Sequence, residues 1–250
     1  VFGAELRTRY PGWYKPNDPF RVWSNDYQRT VDSARLFARG YMGPNATAFG
    51  SVYPINASDP SAVANSLATS DSCPTYDDQS GSAQTRVWDS IYLPPIQARL
   101  QAFIQGDFNL TGSEVALFAY LCGFESQITR RESPFCSILT PEEILQYEYR
   151  QDLRYYYGTG PGGYNNGSVQ LPVIQGIVDL LASGPETAII EPDGASSMVG
   201  PLVVAFTHDN QINQMLSRLG VFDGQPPLAP DSLNSSRVCP ILYQKHMTLP

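Results

Sequence analysis

Histidine is almost missing from this 250-residue chain, which has only His208 and His246. That scarcity, with no Cys or His spacing that suits zinc, argues against a catalytic metal centre. No metal and no cofactor is expected. Lysine is scarce too, and the formal net charge is −8 with a pI near 4.7. An acidic chain of this kind is a poor partner for nucleic acid or an anionic membrane surface. Any anionic substrate must be held by local cations against that field, or met at acidic pH. No apolar run reaches the roughly 18 residues of a membrane-spanning helix. No G-x-S-x-G occurs, so a serine-hydrolase elbow is absent.

Hydrophobic residues make up 42% and charged residues 16%, a globular balance. Gly 20 and Pro 21 imply many loops without disorder. The length allows one large core or two modest domains. Five N-x-S/T sequons stand at Asn45, Asn56, Asn109, Asn166 and Asn234. The four cysteines, Cys73, Cys122, Cys136 and Cys239, permit three pairings. Cys122 and Cys136 enclose a loop between two helix-like segments, a span at which a bridge contributes roughly 3 kcal/mol in the chain-entropy model. Sequons and cysteines together point to a secreted, extracellular glycoprotein. Val1 is not a start residue, so a processed chain or a fragment is expected.

Along the chain, Pro19 to Ser24 alternates and reads as a strand. From Arg29 to Tyr41, the residues Val31, Ala34, Phe37, Ala38 and Tyr41 share one helical stripe. Residues 42 to 82 read as surface loop, with a short strand near Ser51 to Pro54. Residues 86 to 104 and 113 to 122 have helical periodicity. Thr140-Pro141-Glu142-Glu143 is a helix start, with a Thr cap, an early Pro and Glu at the third position. That helix should stop at Gly158. A further helix covers residues 169 to 183, with Val173, Ile174, Ile177, Val178 and Leu181 as its apolar face. Gly158 to Gly163 matches G-x-G-x-x-G but follows a helix, so a helix end and loop explain it. The Tyr155-Tyr156-Tyr157 run reads as helix packing.

Two places carry chemistry. The apolar run Leu202 to Phe206 stops at Thr207-His208-Asp209-Asn210. A helical pattern with Ile212, Met215, Leu216 and Leu219 on one face follows it. Groups at the carboxyl end of a strand leading into a helix stand where open α/β sheets bind ligands. Arg29 follows Ser24 to Gln28 at another strand-to-helix junction, where helix amides favour anions. A guanidinium there is a planar fork suited to phosphate oxygens.

These residues resemble the histidine acid phosphatases, specifically the secreted fungal acid phosphatase and phytase branch. Phe206-Thr207-His208-Asp209-Asn210 resembles that family's His-Asp motif. Ser24 to Gly40 resembles its second arginine motif. The stretch from Ser133-Pro134-Phe135-Cys136 to Gly158, preceded by Cys122, is similar to its disulfide-bearing helical segment. The similarity spans most of residues 3 to 225.

The resemblance implies an α/β fold, a sheet flanked by helices with a mostly α-helical inserted domain. Residues 1–41 and 166–250 would form the α/β core, and residues 42–165 the insertion. It implies a Cys122–Cys136 bridge and leaves the pairing of Cys73 and Cys239 open. It also implies an acid phosphomonoesterase acting on small-molecule esters, phytase-like or of broad specificity. In that family a histidine in an Arg-His-Gly-x-Arg-x-Pro motif attacks phosphorus and becomes a phosphohistidine. Carried over by position, Arg29 and His208 would bind phosphate, and Asp209 would protonate the leaving alcohol. Phosphoryl transfer needs that positive charge and that proton, and a cationic His208 beside Asp209 suits acidic pH. This chain departs from the family at the nucleophile. Leu6-Arg7-Thr8-Arg9-Tyr10-Pro11 has Leu6 where the histidine would be, and no histidine precedes His208. The expectation is that the nucleophile segment is absent from this chain, that the chain alone is inactive, and that an N-terminal piece of the same enzyme is its partner. The alternative is a catalytically inactive secreted phosphate-binding or interaction protein of the same fold.

Overall fold

The alternation that marks Phe20 to Ser24 becomes strand β1 (Phe20–Asn25) in the computed structural model of the chain. The structure describes residues 1–56, 67–76, 81–163, 167–190, 194 and 196–233. Val22 and Ser24 are fully buried on one face of β1, while Arg21 and Trp23 are half-buried on the other. β1 is the centre of a parallel sheet, with β2 (Gly50–Ile55) on one side and β5 (Val204–Phe206) on the other. The register sets Val22 opposite Val52 and Val204, and Ser24 opposite Phe206.

Helix α2 (Gln28–Met42) follows β1 and buries Val31, Ala34, Phe37, Ala38 and Tyr41, the stripe that its 3.6-residue spacing predicts. With Phe20, Val22 and Met42 these residues form the core of the sheet. Helix α1 (Phe2–Arg9) lies so close to α2 that a Cβ at Gly3 would collide with the Phe37 carbonyl oxygen. Only glycine fits that approach. The short helix α3 (Ala46–Phe49) leads into β2.

A second core forms among α5 (Ser82–Gln101), α6 (Gly112–Thr129) and α7 (Pro141–Gly158). Trp88, Tyr92, Ile96, Leu100, Val115, Tyr149 and Leu153 supply most of it. The expected Thr140 start of α7 is a reciprocal cap. The Thr140 amide donates to the Glu143 carboxylate at 2.8 Å, and the Glu143 amide to the Thr140 hydroxyl at 3.3 Å. The same carboxylate is gripped by Arg99 through two nitrogens. Cys122 and Cys136 are joined as a disulfide, with Cα atoms 4.7 Å apart. Cys73 has no disulfide partner among the described residues, and Cys239 lies outside them.

The chain divides into two compact units. One takes the described residues within Val1–Asp78, Thr159–Pro161 and Asn165–Asp223; the other takes those within Gln79–Gly158, Gly162–Tyr164 and Gly224–Pro250. Within the first unit, Gly50–Ile55 pairs with β1 along its full length. Leu228 is buried in the helical core, and the Ala229 carbonyl accepts a hydrogen bond from Tyr149.

Two helices present faces that the apolar pattern does not foretell. Helix α8 (Leu171–Ser183) forms as expected, yet it buries none of its residues, and Val178 and Leu181 are exposed. Helix α9 (Asp209–Arg218) turns its polar side inward, burying Gln211, Gln214 and Ser217 while Ile212 is exposed, as is Leu219 just beyond its end. Hydrogen bonding explains the inversion. Gln214 donates to the Tyr76 hydroxyl and accepts from Gln170, and Gln211 donates to Ser70 of α4 (Thr69–Ser72). Gln214 is thereby paired at both amide atoms and Gln211 at its nitrogen, which offsets much of the desolvation penalty. A short antiparallel pair, β3 (Ala188–Ile190) and β4 (Ser196–Met198), stands before β5.

Candidate functional site

Because β1 and β5 are parallel neighbours, their carboxyl ends emerge side by side, each leading into a helix. The turn after β1 is held by the Thr30 hydroxyl, 2.6 Å from the Asn25 carbonyl oxygen and 2.7 Å from that of Tyr27. This fixes Arg29 at the exposed first turn of α2. On the neighbouring strand, the Thr207 hydroxyl donates to the Leu67 carbonyl at 2.8 Å, and His208 becomes the N-cap residue of α9 with extended backbone. Neither α2 nor α9 has a side-chain cap, so two positive helix ends begin at the same edge.

Arg29 and His208 meet there. Arg29 Nη2 lies 3.1 Å from His208 Nδ1. A guanidinium can only donate, so Nδ1 accepts and the ring proton sits on Nε2. Nε2 is buried with no partner among the described residues. The Tyr27 ring organises the pair. It meets the imidazole edge-on at 4.8 Å, and the Arg29 guanidinium carbon lies 5.0 Å from its centroid. Asp209 is exposed in the first turn of α9, next to His208 in sequence.

Burial pushes the His208 pKa down from its ordinary value near 6.5, and the Arg29 charge pushes it further. Asp71 and Asp209 pull in the opposite direction without reversing the shift. In the free protein His208 is therefore neutral at neutral pH and becomes a cation only in acid. Below the depressed pKa, Nδ1 gains a proton and the Arg29 contact turns from attraction to repulsion. The two donors then frame a seat for an oxyanion, which would accept from both.

The structure also brings in residues that sequence reading passes over. Asp71 acts on His208 from α4, and Gln211 Nε2 lies 2.8 Å from the Ser70 hydroxyl and 3.3 Å from Asp71. Asn25 is fully buried at the end of β1, and both its amide atoms lack partners among the described residues. No periodicity links residue 71 to residue 208, so only the fold reveals them together. Of the sequons, Asn56 and Asn109 are exposed, whereas the Asn45 amide nitrogen donates to the Pro16 carbonyl at 2.9 Å. Asn166, Asn234 and His246 lie outside the described residues. Among the described residues, no group of three or more His, Cys, Asp and Glu could hold a metal ion, and no helix is long and apolar enough to cross a membrane.

The family profile described as the histidine phosphatase superfamily (branch 2) matches residues 2–244. A thiamine-repressible acid phosphatase of Schizosaccharomyces pombe is 34% identical over 237 residues, covering 92% of this chain and 47% of the relative. Phytase A of Emericella nidulans is 26% identical over 249 residues, 93% of this chain and 53% of that protein. The crystal structure of the phytase from D. castellii superposes with a TM-score of 0.76 at 26% identity, over 92% of this chain and 47% of that one. The chain thus spans about half the length of these relatives.

Proposed function

The chain belongs to branch 2 of the histidine phosphatase superfamily, and on that footing we propose that it forms the phosphoryl-binding and proton-donating part of an acid phosphomonoesterase. The observation that carries this reading is the Arg29–His208 contact at the carboxyl edge of the sheet. Arg29 and protonated His208 bind the oxygens of the transferring group, where charge accumulates in the transition state. Asp209 gives its proton to the departing alkoxide. The attacking group is a histidine that forms an N–P bond as the P–O bond breaks; water later cleaves the phosphohistidine. Residues 1–207 contain no histidine, so we assign the nucleophile to a segment other than this chain. The substrate is a small phosphomonoester, phytate or a simpler ester, and the working pH is acidic. Exposed sequons and the disulfide support a secreted glycoprotein.

The test uses native material containing this chain, with an activated phosphomonoester at acidic pH. Asp209→Asn should lower turnover by about two to four orders of magnitude, and acid-labile phosphate should be trapped on histidine. Undiminished turnover in Asp209→Asn would reject its role as the acid. Tight phosphate binding without any turnover would favour the inactive binding protein instead.

A further inference from the structure

A second cationic place lies in the helical unit, and the reading of Arg29 and His208 does not call on it. Arg150 and Arg154 stand one turn apart on α7 and line an open cleft of about 380 Å³. Tyr120, Tyr147, Ser82 and Gln151 also line it, and among the described residues no carboxylate does. In a chain of net charge −8, such a lining runs against the overall field.

The two arginines are differently engaged. Arg150 grips Asp89 through Nε and Nη2 at 2.7 and 3.1 Å, so its charge is matched and its orientation fixed. Arg154 is exposed, and its guanidinium carbon lies 5.0 Å from the Tyr155 ring centroid. It has no carboxylate within ion-pair distance among the described residues. One net positive charge therefore remains at the cleft. Burial raises the Tyr147 pKa above its ordinary value, against the pull of Arg150 and Arg154. A phenol raised in this way is protonated at neutral and acidic pH and can donate. Ser82 begins α5, whose N-cap is Gly81 and offers no side chain of its own.

We propose that this cleft is an oxyanion site for one tetrahedral, phosphate-sized group, held by Arg154 and Arg150 with hydrogen bonds from Tyr147, Tyr120 and Ser82. The anion meets the unmatched charge of Arg154, while Arg150, one turn away and held by Asp89, can still donate from its remaining nitrogen. Planar forks beside hydroxyl donors suit phosphate or sulfate oxygens. The group is either free phosphate or the phosphoryl end of a larger ester, and both present the same oxygens.

The experiment follows the Nε–Hε signals of Arg150 and Arg154 by NMR in the full 250-residue chain. Inorganic phosphate, sulfate and glycerol phosphate are titrated separately, with ionic strength held by chloride. Phosphate and sulfate should give saturable shifts at Arg154 that chloride does not reproduce. Equal response to glycerol phosphate marks a site that also takes esters; a response to the free anions alone marks a phosphate site. Arg154→Gln should weaken binding roughly tenfold or more, the scale of a lost charge-assisted hydrogen bond. Arg154→Lys should recover part of it, and unchanged thermal unfolding of both variants confirms the fold. Arg29→Ala should leave the Arg154 response intact, which separates this site from the one on the sheet. Shifts that never saturate, or that chloride matches, would overturn the proposal, as would equal affinity in Arg154→Gln.

Discussion

His208 carries two opposed influences, a guanidinium 3.1 Å away and carboxylates at Asp71 and Asp209. Burial and Arg29 prevail, so the folded protein binds its proton less readily than the unfolded chain. The sign follows by linkage. Stability from this group is present above the ordinary value near 6.5 and is lost as pH falls through the depressed folded value. Arg29→Gln removes the charge and should move the His208 midpoint upward, towards its ordinary value. Ring-nitrogen shifts across a pH titration would show it, with the wild-type neutral tautomer carrying its proton on Nε2. A midpoint that stays in place would mean that Arg29 does not act on the imidazole. The strand-to-helix positions of Arg29 and His208 are legible in the sequence, because such junctions are visible as pattern changes; their contact is not. Nor are Asp71, Asn25 and the Tyr27 ring, because their roles depend on which strand ends adjoin.

Helix α9 shows how an apolar pattern can point the wrong way. Ile212 and Leu219 read as the inward face, yet the structure buries Gln211 and Gln214. Periodicity reports that a helix has two faces; it does not report that buried partners such as Tyr76 and Gln170 await the polar one. The close packing depends on Gly167, which adopts a positive φ of 71° and faces the Gln214 carbonyl oxygen. Gly167→Ala should destabilise the protein by more than about 1 kcal/mol, from backbone strain and collision together. A urea midpoint equal to wild type would contradict that packing. Strand β1, helix α2 and the capped start of α7 were readable to within a residue or two, since each rests on local spacing. Strand β2 reads as a short strand, but its place beside β1 is not readable, because parallel pairing leaves no local signal.

For the molecule as a whole, the missing histidine before His208 leads to a plain expectation. The purified 250-residue chain, checked by mass, should not hydrolyse an activated phosphomonoester at acidic pH. Robust turnover by the chain alone would place the nucleophile within it and undo that assignment. Binding should persist without turnover, because the donors at the sheet edge are already assembled. The most direct measurement is therefore the titration of His208, with and without inorganic phosphate, at ionic strength matched by chloride. Phosphate should raise the His208 midpoint saturably, since an anion at the seat stabilises the imidazolium, and Arg29→Ala should abolish most of that rise. A His208 titration that phosphate leaves unchanged would contradict the account, because the Arg29–His208 pair would then not be a phosphoryl-binding site.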